Sequence, residues 1–251
     1  MIVLKSAREI ALMREGGQIL ADVMDVLPGF VKSGMSTLEI DEEVEAFIKK
    51  RGARSAFKGY RGFPATVCIS INEEIVHGIP SADRRIKDGD IVGLDLGCIV
   101  DGYYADCAFT LAIGPIPDEV QKLLDVTRES LDLAIEQCVP GRRLSDVSHA
   151  VQRHVEGHRF SVVRAFVGHG IGRALHEEPQ VPNFGDPGRG PQLRPGMVIA
   201  IEPMVTMGTC DVRILDDGWT AVTQDGSLAA HFEHTVAVTD QGPDVLTRKA
   251  A

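Results

Sequence analysis

Residues 91–110 read "IVGLDLGCIVDGYYADCAFT". The stretch is rich in apolar and β-branched residues on both sides of Asp101-Gly102, a pair that favours the two-residue type I′ hairpin loop. The spacing predicts two buried antiparallel strands joined at that pair. Val100 then opposes Tyr103, and Gly97 opposes Asp106. Asp95 lies two residues before Gly97, so the alternation of side chains puts it on the face of Asp106. The two carboxylates become diagonal neighbours, with Cα atoms about 7–8 Å apart. Gly97 is expected to leave open space opposite Asp106. Two like charges buried together are costly unless one is protonated or a cation lies between them. A divalent metal is the simplest compensation. For either aspartate alone, a strand-end carboxylate bonded to turn amides is the competing reading.

A metal site needs further ligands. The chain offers His169 in "VGHGIGRALHEEP", Glu202 in "VIAIEP" and Glu233 in "HFEHT". Glu202 is again an acid inside an apolar strand. Glu233 has strand period with His231 and Thr235. Four carboxylates and one imidazole make an oxygen-rich donor set. That set suits Mn²⁺, Fe²⁺, Co²⁺ or Zn²⁺, and two ions rather than one. It lacks the thiolates and multiple imidazoles of a structural zinc site.

The architecture is expected to be α+β with an internal repeat. The offset that lays Gly34 on Gly141 also lays Ile40 on Val147, Val44 on Val151 and Ile48 on Val155. The same shift lays "DGDIVGLD" (88–95) on "PGMVIAIE" (195–202), so that Asp95 meets Glu202. One offset shared by a helix and a strand suggests a duplicated αβ unit, roughly 30–110 and 137–240, within a single domain 1–251. No low-complexity segment or Gly/Ser linker divides the chain. Ser6 and Glu9 form a capping box ahead of a first helix. A second helix is expected from about Thr37 to Arg51, with Leu38, Ile40, Val44, Phe47 and Ile48 inward. Helices also follow at "IPDEVQKLLDVTRESLDLAIEQCVPG" and "LSDVSHAVQRHVEGH". "VGHGIGRALHEEP" reads as a loop, "RPGMVIAIEPMV" as one strand, and "WTAVTQDGSLAAHFEHTVAVT" as strands around an Asp-Gly turn.

Length and charge bound the function. The 251 residues carry a net charge of −10, which disfavours nucleic acid and anionic membranes as partners. The five cysteines are odd in number and show no zinc-finger spacing, which favours free thiols in a reducing compartment. The opening residues are too charged for a signal peptide, and no apolar run approaches the length that spans a bilayer. The cytoplasm is the expected location.

The ordered series Asp95, Asp106, His169, Glu202, Glu233 resembles the type I methionine aminopeptidase family in its compact bacterial form. "ISINEEIVHGIP", "GLDLG", "GHGIGRALHEEP", "AIEP" and "EHT" carry the likeness, which extends over nearly the whole chain. The long insertion of type II enzymes has no room between His176 and Glu202. The resemblance implies the pita-bread fold, two pseudo-symmetric αβ halves around a curved antiparallel sheet. It implies two divalent ions, with Asp95 on one, Asp106 and Glu233 bridging, and His169 and Glu202 on the other. It implies attack by metal-activated water on the carbonyl after an N-terminal methionine, with Glu202 relaying a proton. His176 would stabilise the oxyanion and His77 would contact the substrate backbone. Tyr60, Phe63, Cys68, His77, Leu175, His176 and Trp219 would receive the methionine and its flanking backbone. Asn72 and Glu74 stand where that family offers backbone oxygens to a monovalent cation. Leu175 replaces an aromatic residue and Phe57 a cysteine common in the family, so pocket dimensions are expected to differ. Implied partners are peptides and nascent chains with N-terminal methionine, and the ribosome, met by a monomer. A pita-bread enzyme cleaving before proline and a non-catalytic pita-bread binding protein are the alternatives.

Overall fold

The computed structural model describes residues 1–249. Helix α1 (Ala7–Phe30) starts at the Ser6–Glu9 capping box, with both reciprocal bonds formed. Helix α2 (Thr37–Lys50) starts at a second such box, Ser36–Glu39. Strands β1 (Arg54–Ser55), β2 (Val67–Ile71) and β3 (Glu74–Val76) precede the long hairpin of β4 (Ile91–Val100) and β5 (Tyr103–Ala112). Helices α3 (Asp118–Ile135) and α4 (Leu144–Gly157) follow. Then come β6 (Ser161–Val162), β7 (Gly168–Gly170), β8 (Glu177–Val181), β9 (Val198–Ile201) and β10 (Met204–Thr206). The chain closes with β11 (Val212–Ile214), β12 (Ala221–Thr223), β13 (Ala229–His231), β14 (Glu233–Thr239) and β15 (Gly242–Val245).

Nine strands form an antiparallel sheet ordered β1-β4-β5-β14-β9-β7-β8, with β2 also on β4 and β15 also on β14. The hairpin register is that expected: Val100 faces Tyr103, Gly97 faces Asp106 and Asp95 faces Ala108. Helix α1 lies on the opposite face of β4 and β5, with Gly16 against Ala105 and Cys98. All four helices pack into one apolar core with the sheet, through residues such as Leu20, Ile40, Leu123 and Val151. Leu38 and Phe47 of α2 are only half-buried.

The sequence offset recurs in the backbone. The shift that carries Gly34 to Gly141 also carries Thr37 and Lys50, the ends of α2, to Leu144 and Gly157, the ends of α4. It carries Ile91, which opens β4, to Val198, which opens β9. Thr37 N–H donates to the Arg84 carbonyl, and Leu144 N–H to that of Pro191. Ile86 N–H donates to the Met35 carbonyl, and Leu193 N–H to that of Arg142.

Three local expectations need correction. The glycine-rich run is not all loop: Gly168–Gly170 is the short strand β7 between β9 and β8. Its glycines allow that close approach, since a Cβ at Gly170 would lie 2.2 Å from the Glu178 carbonyl oxygen. "MVIAIEPMV" is two strands in different sheets, broken at Glu202-Pro203, because proline has no N–H for the ladder. His231 belongs to β13 in a separate small sheet with β10 and β6, so the period-two relation runs only from Glu233 to Thr235. No helix among the described residues is long and apolar enough to cross a membrane.

Candidate metal centre

Strand pairing places the acids in two adjacent rows on one face of the large sheet. One row runs Cys68, Asp95, Ala108, Glu233 across β2, β4, β5 and β14. The next runs from Gly97 and Asp106 through Thr235 and Ala200 to His169. The Thr235 hydroxyl donates to the Asp106 carbonyl and accepts from its N–H, joining β5 to β14 where the ladder opens. Glu202 follows β9 at the break before Pro203, two residues past Ala200, and turns toward the same centre. Small residues between the acids in each row leave the carboxylates room to converge.

Ligand atoms of Asp106, His169 and Glu233 all lie within 4.8 Å of one another. His169 Nε2 is 3.9 Å from Asp106 Oδ2 and 3.5 Å from Glu202 Oε1. His169 Nδ1 lies 2.9 Å from the Gly170 carbonyl. A carbonyl only accepts, so Nδ1 carries the proton and Nε2 presents its lone pair to the acids. This is the arrangement in which an imidazole binds a metal. Burial pulls the His169 pKa down to about 4, aided by nearby His176. The ring is therefore neutral near pH 7, and its closeness to the carboxylates is no ion pair.

Burial also pushes Asp95 up to about 7. Asp106, Glu202 and Glu233 rise well above the ordinary range, from burial first and second from neighbouring carboxylate charge, Asp95 acting on all three. Asp95 Oδ1, Asp106 Oδ1 and Glu233 Oε1 are buried without a hydrogen-bond partner. Unpaired carboxylate oxygens lining one cavity beside a neutral imidazole fit divalent cations by charge and by donor type.

A cavity of about 160 Å³ opens onto this cluster. All five acidic and imidazole candidates line it, as do Tyr60, Phe63, Cys68, His77, Leu175, His176 and Trp219. His176 Nδ1 is 2.8 Å from the Tyr60 hydroxyl, its ring stacks on Tyr60, and its centroid is 4.2 Å from that of His169. Burial lowers the His176 pKa, with Arg61 adding to the effect. His77 adopts a left-handed backbone (φ 64°) and meets the edges of Phe166 and Trp219. Phe63 and Trp219 contact edge to face at 5.2 Å.

The space opposite Asp106 is not open. A Cβ at Gly97 would lie 2.9 Å from both Ala56 Cβ and Phe57 Cε1, so the Phe57 ring fills that position and walls the cavity. Arg61, missed in the sequence, also lines it. It stands between Tyr60 and Gly62 with φ 49°, in a turn that Gly59 and Gly62 could have flagged. Asn72 and Glu74 lie outside the cavity lining. The Asn72 carbonyl accepts from Ala229 N–H, and the Glu74 carboxylate pairs with Arg84.

Residues 11–240 match the profile of metallopeptidase family M24. Methionine aminopeptidase 1 of Bacillus subtilis is 52% identical over 248 residues, covering 99% of this chain and 100% of that protein. The crystal structure of methionine aminopeptidase from Thermotoga maritima superposes with a TM-score of 0.98 at 44% identity, covering 99% of this chain and 100% of that one. Prolidase from Pyrococcus furiosus, at 23% identity, has a TM-score of 0.78 and covers 99% of this chain and 66% of that one. That likeness establishes the shared pita-bread fold.

Proposed function

This chain belongs to metallopeptidase family M24, among its methionine aminopeptidases, and on that premise we propose that it removes the N-terminal methionine from nascent polypeptides whose second residue is small. The observation that carries the reading is the set of three orphaned carboxylate oxygens, on Asp95, Asp106 and Glu233, that share one aromatic-walled cavity with His169.

Asp95, Asp106, His169, Glu202 and Glu233 would hold two divalent ions. One ion within the Asp106–His169–Glu233 trio would leave Asp95 Oδ1 unpaired, which is why two are proposed. Mn²⁺, Fe²⁺, Co²⁺ and Zn²⁺ all suit the donors. When bound, the ions would supply Lewis-acid polarisation of the scissile carbonyl and a nucleophile from water at neutral pH.

The remaining work falls to side chains. Glu202 accepts a proton during attack and returns it to the leaving amine. The Tyr60 hydroxyl lies 2.8 Å from His176 Nδ1; the role proposed for His176 requires that hydroxyl to donate, which leaves the ring proton on Nε2, the donor a developing oxyanion needs. His77, held edge-on by Phe166 and Trp219, would bond the substrate backbone. Tyr60, Phe63, Leu175 and Trp219 give the methionine an apolar wall, and Cys68 adds a polarisable thiol. Asn72 and Glu74 would offer backbone oxygens to a monovalent cation outside the cavity lining. We read the whole chain as one catalytic domain made of two duplicated halves. Its free cysteines fit a cytoplasmic monomer acting on nascent chains.

The test is hydrolysis of Met-Ala-Ser by metal-stripped protein, with each divalent ion restored in turn, against an Xaa-Pro dipeptide as competitor. Restored cleavage of Met-Ala-Ser supports the reading. Cleavage of the Xaa-Pro peptide alone replaces it with the proline-directed alternative.

A further inference from the structure

Lys5 is a lysine almost without solvent. Its side chain is 4% exposed, and Nζ lies 2.5 Å from Glu177 Oε2, far along the sequence. Lysine is almost never this buried unless paired. A buried ion pair adds little net stability compared with apolar residues of the same volume, yet it fixes one geometry. Its location shows what that geometry holds.

Glu177 follows His176 directly. Its other oxygen, Oε1, accepts from Arg173 N–H at 2.7 Å and Ala174 N–H at 3.2 Å. One carboxylate thus ties off the turn that carries Leu175 and His176 into the cavity. Lys5 is itself anchored, since its N–H donates to the Gly196 carbonyl at 2.7 Å, just before β9. A Cβ at Gly172 would lie 2.4 Å from Lys5 Cε and 2.7 Å from Glu177 Oε1, so the lysine stem lies directly against the loop. The Gly172 carbonyl is held in turn by Tyr104 N–H of β5. The loop is therefore held at two points, directly to β5 through Tyr104 and, through Lys5, to the backbone at Gly196 ahead of β9.

We propose that Lys5, acting through Glu177, is a positioning residue that sets His176 against Tyr60 and the metal ligands. Neither Lys5 nor Glu177 lines the cavity, and neither touches substrate. The inference rests on the reading of His176 as the oxyanion donor.

The test uses metal-loaded full-length protein and four variants: Lys5→Met, Glu177→Gln, His176→Ala and Lys5→Met in the His176→Ala background. Displacing a catalytic group by about 1 Å costs on the order of a hundredfold. Lys5→Met and Glu177→Gln should therefore lower kcat on Met-Ala-Ser by about ten- to a hundredfold, with KM and metal content little changed. The His176 imidazole signals should move in heteronuclear NMR spectra of both. In the His176→Ala background, Lys5→Met should cost nothing further. Arg248→Met, which breaks the exposed pair with Asp132, should leave kcat unchanged. The proposal is overturned if folded Lys5→Met or Glu177→Gln keeps wild-type kcat. It is equally overturned if the His176 signals stay in place or the loss persists undiminished without His176. Should Lys5→Met fail to fold, Glu177→Gln decides, because its amide oxygen still accepts from Arg173 and Ala174. Wild-type protein inactive on Met-Ala-Ser with every ion would instead remove the functional reading, leaving the NMR comparison to judge the positioning role.

Discussion

Phe57 occupies the position a side chain at Gly97 would take: a Cβ there would come within 2.9 Å of the ring edge. Gly97 is also the cross-strand partner of Asp106. Backbone, aromatic wall and candidate metal ligand thus meet at one residue with no side chain. Gly97→Ala should push Phe57 into the cavity or spread the hairpin. Overpacking of this kind costs about 1–3 kcal/mol, and a matching drop in denaturation midpoint is expected with weaker cleavage of Met-Ala-Ser. Unchanged stability and turnover together would show that the ring moves aside freely.

His169→Ala should remove most turnover while the fold survives. The imidazole is the one nitrogen donor in the trio, and its replacement leaves the four carboxylates of the cavity without that neutral ligand. Far-UV circular dichroism should stay at wild-type shape while activity falls on the order of a hundredfold or more, the scale on which positioned catalytic groups act. A variant that still turns over at the wild-type rate excludes a ligand role.

Trp219→Ala should blunt selectivity for methionine. Trp219 packs edge-on against Phe63 and near His77, so its loss widens the apolar wall. An apolar pocket discriminates by about 1–3 kcal/mol per methylene. The ratio of kcat/KM for Met-Ala-Ser over Leu-Ala-Ser should therefore fall about tenfold. An unaltered ratio takes Trp219 out of the pocket.

The hairpin was legible because Asp101-Gly102 pins its register and side-chain alternation follows. Asp95, Asp106 and Glu202 were legible because they interrupt apolar runs of sequence, where an unpaired carboxylate is costly, and Glu233 because it keeps strand period with Thr235. The correspondence of α2 with α4 could be read because both keep one helical stripe at a fixed offset. Strand β7 could not be read: a histidine between two glycines carries no period, and only pairing with β8 and β9 makes the segment a strand. The break at Glu202-Pro203 left a weak signal, since proline also closes strands. Phe57 was expected to bear on the pocket, but not to fill the space at Gly97, because its place depends on an absent side chain on β4. Arg61 was missed as cavity lining because it is an exposed cation whose neighbours are set by a tight turn.

Metal removal should make stability depend on pH in a definite sense. In the stripped protein, burial and mutual repulsion raise the pKa values of Asp95, Asp106, Glu202 and Glu233 above their unfolded values, Asp95 to about 7. The folded chain then holds protons that the unfolded chain releases. Stability from these groups is complete below the unfolded values near 4 and is lost as pH rises through the folded ones. Bound cations replace those protons, and their affinity grows as the carboxylates ionise. The gap in Tm between loaded and stripped protein should therefore widen from pH 5 to pH 8. Asp106→Asn should narrow it from both sides, raising the stripped Tm at pH 8 by deleting one buried charge and lowering the loaded Tm by weakening the site. Elemental analysis of that variant should show less than the wild-type metal content. A gap that stays constant across this range, with full metal in Asp106→Asn, would place the cation elsewhere.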